Sequence, residues 1–142
     1  MISLAQGLAA SGRPARALGV IEQTLALVQA NGDLLYLPEV LRTKGTILAD
    51  PAIADLDAAE ACYRQSLAVA RRQSALAWEL RTATSFAELR AAQEKPAEAV
   101  ALLSPVHRRF TQGFGSRDLR VAEDLLARLN SLHRRDAMAA AV

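Results

Sequence analysis

Apolar side chains recur every three or four positions along most of this sequence. The pattern is clearest between Leu35 and Ala70, where the repeating positions are Leu37, Leu41, Gly45, Leu48, Ala59, Cys62, Tyr63, Ser66, Leu67 and Ala70. Such spacing predicts amphipathic helices. Asp50-Pro51 interrupts it, and because a residue before proline avoids the α region, a turn is predicted there. The stretch is therefore expected to form two antiparallel helices.

Extended over the whole chain, the same periodicity predicts an all-α protein with about seven helices. Three helix pairs are expected at approximately 1–30, 33–72 and 74–109, followed by a capping helix at 117–134, and residues 135–142 are expected to form a flexible tail. Asp33, Asp55 or Asp57, and Ser116 stand where side chains cap helix N-termini. Pro105 should kink or shorten the sixth helix, because proline disrupts a helix interior.

Small residues repeat along these pairs. Ala17, Ala59 and Ala99 each open an Ala-x-x-x-apolar segment on the second helix of a pair, with Ile21, Tyr63 and Leu103 as the apolar partners. The first helices carry small residues as well, at Ala5, Gly45 and Ala87. A glycine in a helix interior costs about 1 kcal/mol relative to alanine, so Gly45 is expected to serve close packing against Ala59. A period of about 40 residues with two helices per unit indicates an α-solenoid.

Composition restricts the classes of function. Aromatic residues make up only 4% of the chain against 51% hydrophobic residues, so the core must be aliphatic. The net charge of +2 is too small to indicate nucleic acid or an anionic membrane as a partner. The single cysteine excludes an internal disulfide and fits a reducing compartment, and no apolar run approaches the roughly 20 residues of a membrane span. A cytoplasmic protein without nucleic-acid or membrane partners is expected.

No motif indicates catalysis, a cofactor or a metal. Gly113-Phe114-Gly115 lacks the lysine and the preceding strand of a phosphate-binding loop and is interpreted as a turn. Three arginine pairs, at 71–72, 108–109 and 134–135, are expected at helix C-termini, where they complement the helix dipole. The alternative interpretation is that the arginine pairs form a basic stripe that binds nucleic acid. No aromatic residues accompany them to stack on bases, which disfavours this interpretation. A small hydrolase built on His107 or Cys62 would need a carboxylate or hydroxyl within hydrogen-bonding reach.

Several stretches resemble known repeat proteins. The helix pairs resemble the tetratricopeptide repeat, in a version longer than its usual unit of about 34 residues. A closer resemblance is to the C-terminal repeat regions of large bacterial signal-transduction ATPases, including those fused to class III adenylate or guanylate cyclases. It is carried by the stretches LYLPEVLRTKG, AAEACYRQSLAVARRQSALAWELRTATSFAEL and RRFTQGFGSRDLRVAEDLLARL. The resemblance implies a right-handed α-α superhelix that acts as a non-catalytic sensor and protein-interaction module.

In tetratricopeptide arrays the first helix of each pair lines the concave surface. With Gly45 and Ala87 as inward markers, that rule gives a partner-binding groove formed by Gln6, Glu39, Arg42, Thr43, Thr46, Arg81, Thr84, Ser85 and Glu88. The expected partner is another protein or a sister signalling domain. The family's carboxylate-gripping mode is disfavoured, because its Lys and Asn are missing at these positions. Trp78 is a further possible anchor for a partner.

Self-assembly is the alternative function. Met1 lies inside the first predicted repeat helix, so that helix is expected to expose an apolar edge. Uncapped ends of solenoids associate, because each repeat relies on a neighbour to cover its apolar face. A homo-oligomer formed through the N-terminal edge would then have a structural role.

Overall fold

A computed structural model describes residues 1–113 and 115–141, and all the regular structure within them is helical. In chain order the helices are α1 (Ile2–Ala10), α2 (Pro14–Asn31), α3 (Leu37–Leu48), α4 (Leu56–Arg72), α5 (Leu76–Ala92), α6 (Pro96–His107) and α7 (Arg117–Ala140). The all-α prediction is confirmed for these residues. The glycine turn predicted at 113–115 includes Phe114, which lies outside the described residues; Gly113 has a φ of +77°.

The chain divides into two compact units, Met1–Trp78 and Glu79–Val142. In the first unit α1 packs on α2 and α3, α2 packs on α3, and α3 packs on α4. Its core combines small and β-branched side chains: Ala5, Ala17, Ile21, Val40 and Ile47. In the second unit α6 packs on α7. The core is mostly aliphatic, as the low aromatic content predicts, although it also encloses the aromatic rings of Tyr63 and Phe86.

Gly45 lies where α3 comes closest to α4. A Cβ atom added to Gly45 would stand 2.7 Å and 2.9 Å from two ring carbons of Tyr63 and 3.2 Å from the carbonyl oxygen of Ala59. Real Cβ atoms do not approach other heavy atoms within 3.0 Å. The contact predicted between Gly45 and Ala59 is confirmed, and the missing side chain is what admits the Tyr63 ring.

The small residues of the other predicted pairs are also enclosed. Ala5, Ala17, Ala87 and Ala99 have no exposed surface, and neither have the apolar partners Ile21 and Leu103. Ala5, Ala17 and Ile21 belong to one core cluster at the contact between α1 and α2. Small residues allow helix backbones to approach, so the repeated positions coincide with tight packing.

The predicted caps are confirmed at two helices and wrong at a third. The Asp55 side chain accepts a hydrogen bond from the Ala58 N–H at 3.2 Å, and Ser116 accepts one from Leu119 at 3.3 Å. Asp33, in contrast, lies outside α3, which begins at Leu37. Pro38 stands in the first turn of α3, where its fixed φ favours helix initiation.

Two helix ends also differ from the prediction. α6 ends at His107, two residues before the predicted bound at 109, and Pro105 lies inside it, where it has no N–H to donate to the carbonyl one turn earlier. α7 passes the predicted end at Arg134 and continues to Ala140, since the alanine-rich segment has high helix propensity. The arginine pair 134–135 therefore lies inside α7 and not at its C-terminus. Within the described ranges, every helix is too short or too polar to cross a lipid bilayer.

Replacing Gly45 by alanine should destabilise the fold by up to about 2 kcal/mol. Overpacking a core costs roughly 1–3 kcal/mol, and the better helix propensity of alanine recovers only about 1 kcal/mol of that. Urea unfolding followed by circular dichroism measures the change.

Gly19→Ala is the matched control, because Gly19 lies in α2 with no heavy atom within 4 Å of the added Cβ. It should stabilise the fold by up to about 1 kcal/mol. Equal effects of the two substitutions would contradict the proposed role of Gly45.

Candidate functional site

The predicted groove residues fall on three helices in two units. Gln6 lies on α1, and Glu39, Arg42, Thr43 and Thr46 lie on α3, all within the first unit. The remaining residues, Arg81, Thr84, Ser85 and Glu88, lie on α5 within the second unit. Each set is considered in its own unit.

A cavity of about 330 Å³ lies in the first unit, where α1 meets α3. Its walls include four predicted groove residues, Gln6, Arg42, Thr43 and Thr46, together with Ala9, Ala10 and Ile47. Pockets that bind small ligands have volumes of about 300–1,000 Å³, so the cavity is at the small end of that range. The structure thus brings together most of the groove predicted for this unit, around apolar side chains.

Glu39 and Arg42 form an ion pair next to this cavity. Arg42 donates two hydrogen bonds to the Glu39 carboxylate, at 2.9 Å from Nε and 2.6 Å from Nη2. Glu39 is only 6% exposed, so its predicted place on an outward face is wrong. A buried carboxylate requires compensation of its charge, which the two-pronged arginine contact supplies. Arg42 therefore holds the structure of α3 in addition to lining the cavity.

Thr46 lines the cavity and also bonds to Tyr63, the residue that packs against Gly45. Its hydroxyl donates to the Arg42 carbonyl oxygen at 3.1 Å and lies 3.1 Å from the Tyr63 hydroxyl. Because the Thr46 hydrogen is directed to the carbonyl, the Tyr63 hydroxyl is the donor in the second bond. The packing of Tyr63 against Gly45 thus fixes the side chain of Thr46 at the rim.

Thr43 and Gln6 form a longer contact across the cavity. The Gln6 side-chain nitrogen lies 3.5 Å from the Thr43 hydroxyl oxygen, beyond the usual 2.7–3.2 Å of such bonds. Thr43 is buried, with 2% of its surface exposed, whereas Gln6 is exposed. Thr43 thus lines the cavity although little of its surface is exposed, and its role in binding a partner stays a prediction.

In the second unit, Arg81 and Thr84 make hydrogen bonds within the protein. Arg81 donates to Asp118 at 2.9 Å, and the Thr84 hydroxyl donates to the Leu80 carbonyl at 2.8 Å, so Thr84 is buried and bonded within its own helix. Ser85 is half-buried and Glu88 is exposed. Of this set, Glu88 is the most accessible side chain.

Sequence reasoning missed three cavity residues and one aromatic contact. Ile47 follows Thr43 by one helical turn, so its place on the same face is a signal that the spacing contains. Ala9 and Ala10 are found only once α1 is seen to contact α3. The Trp78 ring makes an edge-to-face contact with Tyr36, with centroids 6.3 Å apart. Trp78 is half-buried, and its role as an anchor for a partner stays a prediction.

His107 has a carboxylate within hydrogen-bonding reach. Its Nε2 lies 3.3 Å from Glu123 Oε1, across the contact between α6 and α7. This contact meets the condition set for a hydrolase site on His107. Among the described residues, however, no hydroxyl or thiol bonds to the ring, and acyl transfer through histidine requires such a nucleophile. The pair also fits a structural role, in which it ties α6 to α7.

Cys62 is buried on α4 beside Tyr63. Burial raises the pKa of its thiol, nearby Lys44 lowers that pKa by a smaller amount, and Asp55 and Glu22 raise it further. A raised pKa keeps the thiol protonated at neutral pH, and the protonated form is a poor nucleophile. Cys62 thus has the properties of a packed small side chain.

Comparison with known proteins identifies no relative of this chain. The chain matches no family model, no curated protein and no solved structure. The described residues contain no cluster of three or more His, Cys, Asp or Glu side chains that could hold a metal ion.

Cys62 should react slowly with iodoacetamide at pH 8 in the folded protein and rapidly in urea. Because the folded pKa is raised, the unfolded chain ionises first as the pH increases. Stability should therefore fall above the ordinary thiol pKa, and Cys62→Ala should remove that part of the fall. Alkylation rates followed by mass spectrometry test the prediction, and equal rates in the folded and unfolded chains would contradict it.

Proposed function

We propose that this chain is a non-catalytic interaction module with a tetratricopeptide-like, right-handed superhelix. In this proposal it acts in the cytoplasm of a bacterial signalling system. The faces of α1, α3 and α5 bind a protein partner or a sister domain. The free thiol of Cys62 supports a reducing compartment.

The repeated burial of small residues is the observation that carries this proposal. Gly45 and Ala59 meet between α3 and α4, and Ala5 and Ala17 lie in one cluster between α1 and α2. In helical-repeat proteins, equivalent tight contacts align successive helix pairs, so that first helices share one surface. The described residues thus contain a packing feature that a repeat array requires.

The α3 surface also has the rigidity that favours binding. Arg42 is held by Glu39, and Thr46 is held by both the Arg42 carbonyl and Tyr63. Side chains that are already ordered lose little conformational entropy when a partner binds. This arrangement supports recognition by a few fixed side chains on a preorganised face.

Photo-crosslinking in the native host tests the proposed face. A benzophenone amino acid at Gln6 or Glu88, both exposed on first helices, should form adducts with a different protein. Arg42 and Arg81 are poorer probes, because both are less exposed than these positions. Adducts are separated by mass on gels and identified by mass spectrometry.

The control places the same amino acid at Gln65, which is exposed on α4, the second helix of its pair. Gln65 should give far fewer adducts. Equal labelling from Gln65, or the absence of adducts from Gln6 and Glu88, would remove the assignment of the binding face.

Self-assembly is the second candidate, and exposed apolar side chains near the N-terminus favour it. Met1 is 57% exposed and Leu4 is 55% exposed, on a helix whose opposite face is packed on α2. Two copies that cover these side chains against each other would gain hydrophobic free energy.

Sedimentation equilibrium distinguishes this alternative. Self-assembly predicts a mass above the 15.2 kDa of the monomer at high protein concentration. Leu4→Glu should restore the monomer, while Leu132→Glu, a matched change at an exposed position of α7, should not. A monomer at all concentrations would exclude this alternative.

A further inference from the structure

Thr43 differs from three other helical threonines in how its hydroxyl is used. Thr24, Thr46 and Thr84 donate to a carbonyl one turn earlier, at 2.8, 3.1 and 2.8 Å respectively. Thr43 makes no such bond within the described residues. Its hydroxyl oxygen instead accepts a long hydrogen bond, at 3.5 Å, from the side-chain nitrogen of Gln6. A buried hydroxyl normally donates its hydrogen to an acceptor. Since Thr43 accepts in its contact with Gln6, its own O–H remains available to donate to a ligand.

Thr43 forms part of the wall of the cavity between α1 and α3. Thr43 is 2% exposed and lines the cavity together with Ala9, Ala10 and Ile47. The three neighbours present only aliphatic carbon on their side chains. A ligand here thus meets one buried donor surrounded by apolar walls, which is the composition of sites that orient a ligand by a few polar contacts.

Acceptors are present near Thr43 around the same cavity. Thr46 directs its hydrogen to the Arg42 carbonyl and accepts from Tyr63, so one lone pair of its oxygen remains able to accept. The Gln6 amide, exposed at the rim, supplies both an acceptor and donors. The charge of Arg42 is balanced by Glu39 at 2.6 Å, which favours a neutral ligand over an ion. A buried donor beside an acceptor matches the carbonyl and N–H of one extended peptide residue, because these two groups point to the same side of the chain.

We propose that this cavity binds one aliphatic residue of an extended peptide segment. Its carbonyl oxygen accepts from Thr43, its N–H donates to the Gln6 amide oxygen, and its branched side chain packs against Ala9, Ala10 and Ile47. The inference rests on the proposed function as a protein-interaction module and adds the chemistry of the recognised residue.

The probe is N-acetyl-leucine N-methylamide, titrated into ¹⁵N-labelled protein and followed by NMR. The expected dissociation constant is about 1 mM, typical of a ligand with so few atoms. Backbone amide signals of Ala10, Thr43 and Ile47 should shift together along one saturation curve. N-acetyl-glycine N-methylamide keeps the amide groups but has no side chain, and it should bind more weakly.

Two pairs of matched variants test the assignment. Thr43→Val keeps the shape but removes the donor, and it should weaken binding about tenfold. Thr24→Val removes a hydroxyl that is bonded within its own helix and should leave binding unchanged. Ala10→Leu fills the cavity and should abolish binding, whereas Ala30→Leu, at an exposed position of α2, should not.

The outcomes separate this inference from the proposed function. The absence of saturable shifts, or equal binding by the Thr43→Val and Thr24→Val variants, would overturn it even if Gln6 cross-links to a partner. Saturable binding that is lost in Thr43→Val and Ala10→Leu would support it even if no cellular adduct forms. The cross-linking result alone would then contradict the wider proposal.

Discussion

The close approach of α3 to α4 at Gly45 is the constraint on which the first unit depends. Any side chain at this position would overlap the Tyr63 ring, which is almost fully buried. A second tie between the same helices is the hydrogen bond from the buried Ser66 hydroxyl to the Pro38 carbonyl, at 2.7 Å. The two contacts fix both the distance and the register of α3 against α4, because one is steric and the other is directional.

Hydrogen bonds connect this packing to the polar side chains of α3. Tyr63 is held against Gly45 and bonds through its hydroxyl to Thr46, which in turn bonds to the Arg42 carbonyl. One turn away, Arg42 neutralises the buried Glu39. The cavity beside α1 is thus bordered by side chains whose positions the core determines. Such rigidity favours recognition, because ordered side chains cost less entropy on binding.

Periodicity in the sequence predicts the helices and the buried face of α4 well. Ala59, Tyr63, Leu67 and Ala70 are buried as expected, since strict three- and four-residue spacing leaves one apolar stripe. Gly45 also predicts a close contact between helices, because a glycine that destabilises a helix interior indicates that another element packs closely there.

Tertiary contacts explain what the sequence does not predict. Glu39 is charged and was expected on an outward face, yet its pairing with Arg42 allows burial. Asp33 has the chemistry of a cap, but Pro38 and the Leu34–Tyr36 segment place the start of α3 at Leu37. The cavity could not be predicted from the sequence, because it forms where α1 contacts α3. The spacing of residues within one helix does not reveal which helices meet. Residues that meet across helices are therefore the part of the site that needed the structure.

A double-mutant cycle between Gly45 and Tyr63 tests most directly whether this contact organises the unit. The cycle compares the unfolding free energies of Gly45→Ala, Tyr63→Leu and the double variant with that of the unchanged chain. If the Tyr63 ring is what excludes a side chain at position 45, the cost of Gly45→Ala should fall by about 1 kcal/mol or more once the ring is removed. Additive effects, with a coupling energy near zero, would contradict the account.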